Sequence, residues 1–396
     1  MKNENYFKRL DYHIQDVQSA PFTGMSFHTE VPAAQYMPID RFIEATSPET
    51  LAKIFNIEKS PREKNCGLGK HFTDEVQAKR NSGFYLKIDA TTAGAVQDFF
   101  VWFSVDAEHP VLFDQSYIDI ADNAAARLIL YFDTDEKTPT LQSYHNGLVS
   151  IRVGKNARVE IIKIQNFADS ALNFETVRMD VGEKAAVTVH DIQLGAQKSG
   201  VSYSSYMQED WAEVYIFPLY FVDKTRRMDL EHNLIINGKS TLSEIKARGA
   251  LKNNAHKVFR GNIFLNKGCS ASVARFADNS IMLDKSAVGA SIPTIFCDED
   301  DVIGEHAASF AAIDKEKLYY LMSRGFDELS AKKLIIDAAF RPVFNSIPDE
   351  ALRSRLNTEF DERLSAQIQA QADKTAAKTE TAASDSAQGK TGVAHV

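Results

Sequence analysis

The chain has 396 residues, 44% of them hydrophobic and 25% charged, with a net charge of −9. That length suffices for two to three domains or one long repeat domain, and for a large core built without metals or disulfides. The acidic balance excludes a broad nucleic-acid-binding face, which needs clustered lysine and arginine.

Three cysteines, Cys66, Cys269 and Cys297, are too few and too scattered for a disulfide scaffold. The opening stretch MKNENYFKRLDYHIQD is charged and lacks the apolar core of a secretory signal. No apolar run approaches the ~18 residues of a membrane span. The expected location is cytoplasmic, with no membrane partner.

In chain order, residues 1–85 read as a mixed, largely helical region. SPETLAKIFNI carries a Ser47 cap and the apolar residues Leu51, Ile54 and Phe55, and HFTDEVQAKRNSG predicts a second short helix ending near Gly83. Residues 86–312 change character. Turns start at Ile120, Val153, Val181, Ile236, Leu265 and Leu283, each built from Gly, Asn, Asp, Lys or Ser. Short strands of alternating polarity flank them, as in Val177, Met179 and Val181. The turns are offset by 33, 28, 55, 29 and 18 residues, so no strict repeat is visible. Strands joined by tight polar turns, with a small residue entering each new strand, favour a β-solenoid over the alternative β-sandwich.

Residues 313–370 carry three helical patterns. The first follows Asp314 as N-cap, with Leu318, Leu321 and Met322 in register and Gly325 as its stop. The second starts near Asp327 and is expected to end at Pro342, since the residue before proline leaves the α region. The third follows Ser346, with Pro348 in its first turn and a stripe of Leu352, Leu356, Phe360, Leu364 and Ile368. Residues 371–396 are too polar to offset their ordering entropy and read as a disordered tail.

Chemical motifs are sparse. No phosphate-cradling GxxxxGK[ST], GxSxG or HExxH occurs, and nothing in the sequence announces an enzyme. Cys269 occupies a turn position that elsewhere holds Ala or Ser, which reads as core packing. Cys297 ends a strand before the run Asp298-Glu299-Asp300-Asp301, which could hold a hard cation or be a solvated turn. His306, set among Gly304, Glu305, Ala307 and Ala308, has room around its imidazole. It is the sharpest candidate for a ligand or proton-handling group, with Glu305 as its possible partner, although adjacent strand residues face opposite ways.

The segments DDVIGEHAAS, AIDKEKLYYLMSRGF and AKKLIIDAAF, with RGNIFLNKG upstream, resemble the SufB/SufD family of iron–sulfur cluster assembly proteins. The resemblance runs in order from Arg260 to about Phe344. It implies a mainly β fold: a right-handed parallel β-helix flanked by helical N- and C-terminal regions. It further implies a scaffold that docks a SufC-like ABC-type ATPase through its C-terminal helices and pairs with a SufB-like subunit, or a second copy of itself, through the β-helix. His306 matches the family histidine. It would be a metal ligand to a transient iron–sulfur cluster shared with the partner, the chain having no cofactor of its own. Gly304 stands where SufD-like proteins often carry cysteine, and ADNSIMLD lacks the cysteine of SufB-type chains, so the resemblance is to a divergent SufD-like, non-enzymatic accessory subunit. Leu318, Tyr319, Tyr320, Leu321, Arg324 and Gly325 form the expected partner-binding helix. One tyrosine is expected to pack inward and the other to anchor the ATPase, the alternative being that both pack. The competing readings are a β-helix polysaccharide-active enzyme and a purely structural solenoid.

Overall fold

The computed structural model describes residues 20–29, 35–55, 67–91, 95–135, 140–345, 347–362 and 364. Cys66 and the expected tail at 371–396 lie outside the described residues. The chain divides into two compact units, Met1–Ala312 and Ile313–Val396.

The first unit opens with β1 (Met25–Thr29), β2 (Gln35–Pro38), α1 (Ile39–Glu44), α2 (Pro48–Phe55) and α3 (Lys70–Lys79). The Ser47 hydroxyl accepts the Thr50 N–H at 3.3 Å, so the expected cap of α2 is present. The strands that follow are β3 (Phe84–Ile88), β4 (Gln97–Val105), β5 (Val111–Ile120), β6 (Ala125–Thr134), β7 (Tyr144–Val153) and β8 (Arg158–Asn166). Next come β9 (Leu172–Val181), β10 (Ala186–Gln193), β11 (Lys198–Met207), β12 (Glu213–Val222) and β13 (Arg227–Ile236). The last are β14 (Leu242–Leu251), β15 (His256–Leu265), β16 (Ser272–Met282), β17 (Val288–Cys297) and β18 (Val302–Ala312).

Even-numbered strands from β4 to β18 form one sheet and odd-numbered strands from β3 to β17 the other. Each strand pairs in parallel with the strand two further on, for instance β8 with β10 and β16 with β18. Consecutive strands therefore lie in different sheets, and each pair makes one coil. The result is a parallel β-solenoid of about eight turns with about 51% strand, flanked by a few helices near the two termini. A sandwich built from hairpins would pair consecutive strands antiparallel, which the strands from β3 to β18 do not do. At the first coil the stack is closed by antiparallel additions, β1 on β4 and β2 on β3.

The coils turn through left-handed corner residues. Asn123, Asn156, Lys184, Trp211, Ser240 and Ala271 all have φ between 53° and 63°. Each donates its N–H to the next coil, as in Asn123 to the Lys155 carbonyl at 2.8 Å and Trp211 to the Lys239 carbonyl at 2.9 Å. Asparagine tolerates this conformation best, which explains the Asn-rich turns. A small residue follows and is buried: Ala124, Ala157, Ala185 and Ala212. The corner residues are 33, 28, 27, 29 and 31 apart, a regular series. The irregularity read from the sequence has two causes. The turn at Trp211 places a bulky aromatic at the left-handed position after Asp210, so it does not match the pattern of the other turns. The Leu283 turn belongs to the other corner, with Lys224 and Asn253.

The interior is filled by inward-facing aliphatic and aromatic residues of both sheets. Ile39, Phe55 and Val76 of the helices pack with Tyr85, Tyr117 and Leu148 on the outer face of the odd-numbered sheet.

The second unit contains α4 (Lys315–Ser323), α5 (Glu328–Asn345) and α6 at residues 350–362. Asp314 caps α4 through the N–H groups of Glu316 and Lys317, and Gly325 at φ 98° follows it, as expected. Two expectations are corrected. α5 continues through Pro342 to Asn345: the proline supplies no N–H to the helix, while Phe340 and Phe344 keep the last turn packed on Phe360 of α6. The start of α6 is capped by Asp349, whose carboxylate accepts the Leu352 N–H at 2.7 Å, so Pro348 precedes the helix. The stripe of Leu352, Leu356, Phe360 and Leu364 is buried; Ile368 lies outside the described residues.

Candidate functional site: the last coil and the helix pair

In the even-numbered sheet, one inward row runs through Phe99, Leu128, Ile161, Val189, Ile216, Ile245 and Phe276, one residue per coil. The next position in that row is His306 on β18. A row that is apolar for seven coils thus ends in an imidazole, in the coil that no further strand covers. His306 is exposed, and so is nearly all of β18, with Ile303 and Phe310 at 50% and 38% exposure. In the odd-numbered sheet a second apolar row, ending in Met207, Ile236 and Leu265, reaches Cys297 on the edge strand β17.

Glu305 leaves the opposite face of β18. It stands at the end of an outer row of Asp98, Arg127, Glu160, Thr188, Tyr215, Glu244 and Arg275. Its carboxylate accepts from Arg275 Nε at 2.8 Å, as Glu160 does from Arg127 at 2.8 Å. Glu305 is therefore a rung of a cross-coil ion ladder, and the expectation that it partners His306 is not met.

The other candidates resolve in structural terms. Cys269 is fully buried at a corner, where burial and the Glu299 charge push its thiol up to about 11. Such a thiol carries little thiolate and is a packing residue. The Cys297 thiol is exposed and donates to the Glu299 carbonyl at 3.1 Å. Within the acidic run, Glu299 turns back to accept the Gly268 and Asp300 N–H groups, which lowers its pKa. Among the described residues no cluster of three or more His, Cys, Asp or Glu side chains is arranged to hold a metal ion. Gly304 faces the interior: a Cβ there would touch Leu265 and Ile295 at 3.3–3.4 Å, so a small residue fits and a larger one would have to push them.

The second unit presents a different surface. α4 buries none of its residues. Tyr319 is 75% exposed and Tyr320 56%, so neither tyrosine packs inward, contrary to expectation. Tyr320 and Leu321, with Glu316 and Lys317, face Leu334, Ile335 and Ala338 of α5 across an open groove of about 380 Å³. Leu318 is half-buried, and the Arg324 guanidinium lies 5.3 Å from the Tyr320 ring centroid. Met322 and Phe326 are also exposed nearby. This is an apolar, aromatic-rimmed surface of the kind that interfaces bury.

Sequence reading missed the buried polar file inside the solenoid. Inward positions on successive coils hold Asp114, His145, Lys163, Glu175, Asp191 and His232, all almost fully buried. Alternating polarity gave no sign of it, because charged residues at inward positions look like strand exteriors.

The described chain thus combines a parallel β-solenoid with a helical unit that bears an apolar groove. Residues 103–339, well over half the chain, match the family model for the SufBD core domain of SUF-system iron–sulfur cluster assembly. The chain belongs to the SufBD family. It is similar to an iron–sulfur cluster assembly SufBD family protein of Staphylococcus haemolyticus, strain JCSC1435, with 26% identity over 250 residues, 63% of this chain and 53% of that protein. Namesakes in Staphylococcus aureus strains MRSA252 and USA300 match to the same degree, 26% over 250 and 251 residues. The chain spans about half the length of the curated relatives it matches. No described helix is long and apolar enough to cross a membrane.

Proposed function

We propose that this chain is a SufD-like, non-catalytic accessory subunit of a cytoplasmic iron–sulfur assembly complex. Its C-terminal helices dock a SufC-like ABC-type ATPase, and its last coil pairs with a SufB-like subunit. His306 offers one imidazole ligand to a nascent cluster, which is cargo passed across that pairing. Thiolates, usually four, hold an iron–sulfur cluster, and one histidine with an exposed Cys297 falls short of that set, so the partner supplies the rest.

The observation that carries the reading is the change at the end of the apolar row. In this one row the core position becomes a histidine only in the last coil, where it is exposed and a partner could reach it. The exposed tyrosines beside the α4–α5 groove support the ATPase contact. The test is co-purification of the full chain with SufC-like and SufB-like proteins of its own organism. A ternary complex is expected, with the ATPase alone lost from Tyr319→Ser/Tyr320→Ser. Failure of the native chain to retain either protein overturns the reading.

A further inference from the structure

Inside the solenoid a hydrogen-bond chain crosses several coils, and the backbone dictates its direction. It begins at Gln165 on β8, whose Oε1 accepts the main-chain N–H groups of Phe167 at 3.0 Å and Gly195 at 3.1 Å. Main-chain N–H groups only donate, so this amide cannot turn over. Its Nε2 then faces Gln193 Oε1 at 3.3 Å. That fixes Gln193, whose Nε2 donates to the Asp191 carboxylate at 2.7 Å. Ser199 Oγ lies 3.4 Å from the same Gln193 Oε1, a long contact toward which it donates. Having spent its proton, Ser199 accepts from Asn173 Nδ2 at 2.9 Å. Asn173 therefore turns its Oδ1 toward His145 Nδ1, at 2.6 Å. On the other side of the ring, His145 Nε2 faces Asp114 Oδ1 at 2.6 Å.

Both nitrogens of His145 thus meet oxygens that accept. We propose that His145 is a proton-binding site of the fold, a buried imidazolium that donates from both nitrogens to Asp114 and Asn173. A neutral ring would set a lone pair against an oxygen lone pair at one of these two contacts.

The surroundings agree. Facing His145 are Asp114 of β5, Phe132 of β6 with ring centroids 5.1 Å apart, and Phe167 after β8 at 5.4 Å. The same interior holds Lys163 of β8, Glu175 of β9 and Asp191 of β10. Lys163 contacts Glu175, and its ammonium sits 5.0 Å from the Phe132 ring centroid. Asp114, Glu175 and Asp191 outnumber Lys163 in this part of the interior, with His232 beside Asp191 on the far side, and an unpaired buried charge is costly. A second cation at His145 reduces that imbalance.

The test is nitrogen-15 NMR of the full chain labelled at histidine, recorded at pH 7.5, with the His145 signals assigned by their absence in His145→Gln. Should that variant not fold, Asn173→Ser makes the assignment, because of the two contacts of the His145 ring it changes only the one at Nδ1, besides removing the Asn173–Ser199 bond. The expected result is that both ring nitrogens resonate in the protonated range and each shows a slowly exchanging proton. One ring nitrogen in the unprotonated range, at either Nε2 or Nδ1, overturns the proposal.

Discussion

Glu305 and His306 are adjacent in sequence and opposite in role, because successive side chains of a strand leave opposite faces. Glu305 joins Arg275 on the outer face with both groups about half exposed. Such pairs contribute little, so Glu305→Ala is expected to change unfolding free energy by less than about 0.5 kcal/mol in urea titrations. His306→Ala is expected to leave stability and complex formation intact while lowering cluster transfer by the reconstituted complex roughly tenfold or more, as loss of a metal-binding group does. Unchanged transfer would make His306 structural. Lys163 gives the pH signature. Burial, opposed by the charges of Asp191 and Asp114, brings its pKa down to about 8, whereas an unfolded lysine holds its proton to about 10.4. Above pH 8 the unfolded chain binds more protons than the folded one, so stability rises with pH. Cys269, pushed up to about 11, works in the opposite direction once unfolded thiols ionise near pH 9. The window for measurement is pH 8 to 9, where Tm of the native chain is expected to rise more steeply than that of Lys163→Met. That variant also leaves Glu175 without its cation, at a cost of about 3–5 kcal/mol.

At the scale of elements, helix ends were legible where a side chain caps them and illegible where tertiary packing overrides a local rule. Asp314 and Gly325 announced α4 because both act within one turn of their own position. Pro342 announced an end that did not come, because Phe340 and Phe344 are held by Phe360, and neither contact is local. Pro342→Ala restores the missing N–H. It is expected to stabilise the helical unit by about 1–3 kcal/mol, read as a raised local melting transition by circular dichroism. The corners behave likewise. Asn123 and Asn156 declare a left-handed turn by residue type. Trp211 adopts the same conformation with a bulky side chain, and only its place in the stack reveals it.

For the whole molecule, the alternation of short strands with polar turns was enough to indicate a solenoid, since that pattern is written locally many times over. Register was not legible, because it depends on which residues of successive coils stand opposite one another. The row ending in His306, the ladder ending in Glu305 and the buried chain through His145 are all facts of register. So is the exposed edge formed by β18, whose unpaired backbone invites another strand. Ile303→Lys, on the outer face of that edge, is expected to abolish retention of the SufB-like partner in co-purification while leaving the melting temperature of the free chain unchanged.

In a stack each coil is held only by the coils beside it. The first coil has β1 and β2 laid against it, whereas among the described residues no further strand pairs with β17 or β18 on their outer side. Opening is expected to begin at that end and to travel inward one coil at a time. A bound partner strand there would act as the missing neighbour and halt the process at its origin. A copy that fails to find its partner would be frayed and open to proteases at its last coil. Cellular amounts of this chain would then follow those of the partner, with surplus copies removed without any dedicated regulator.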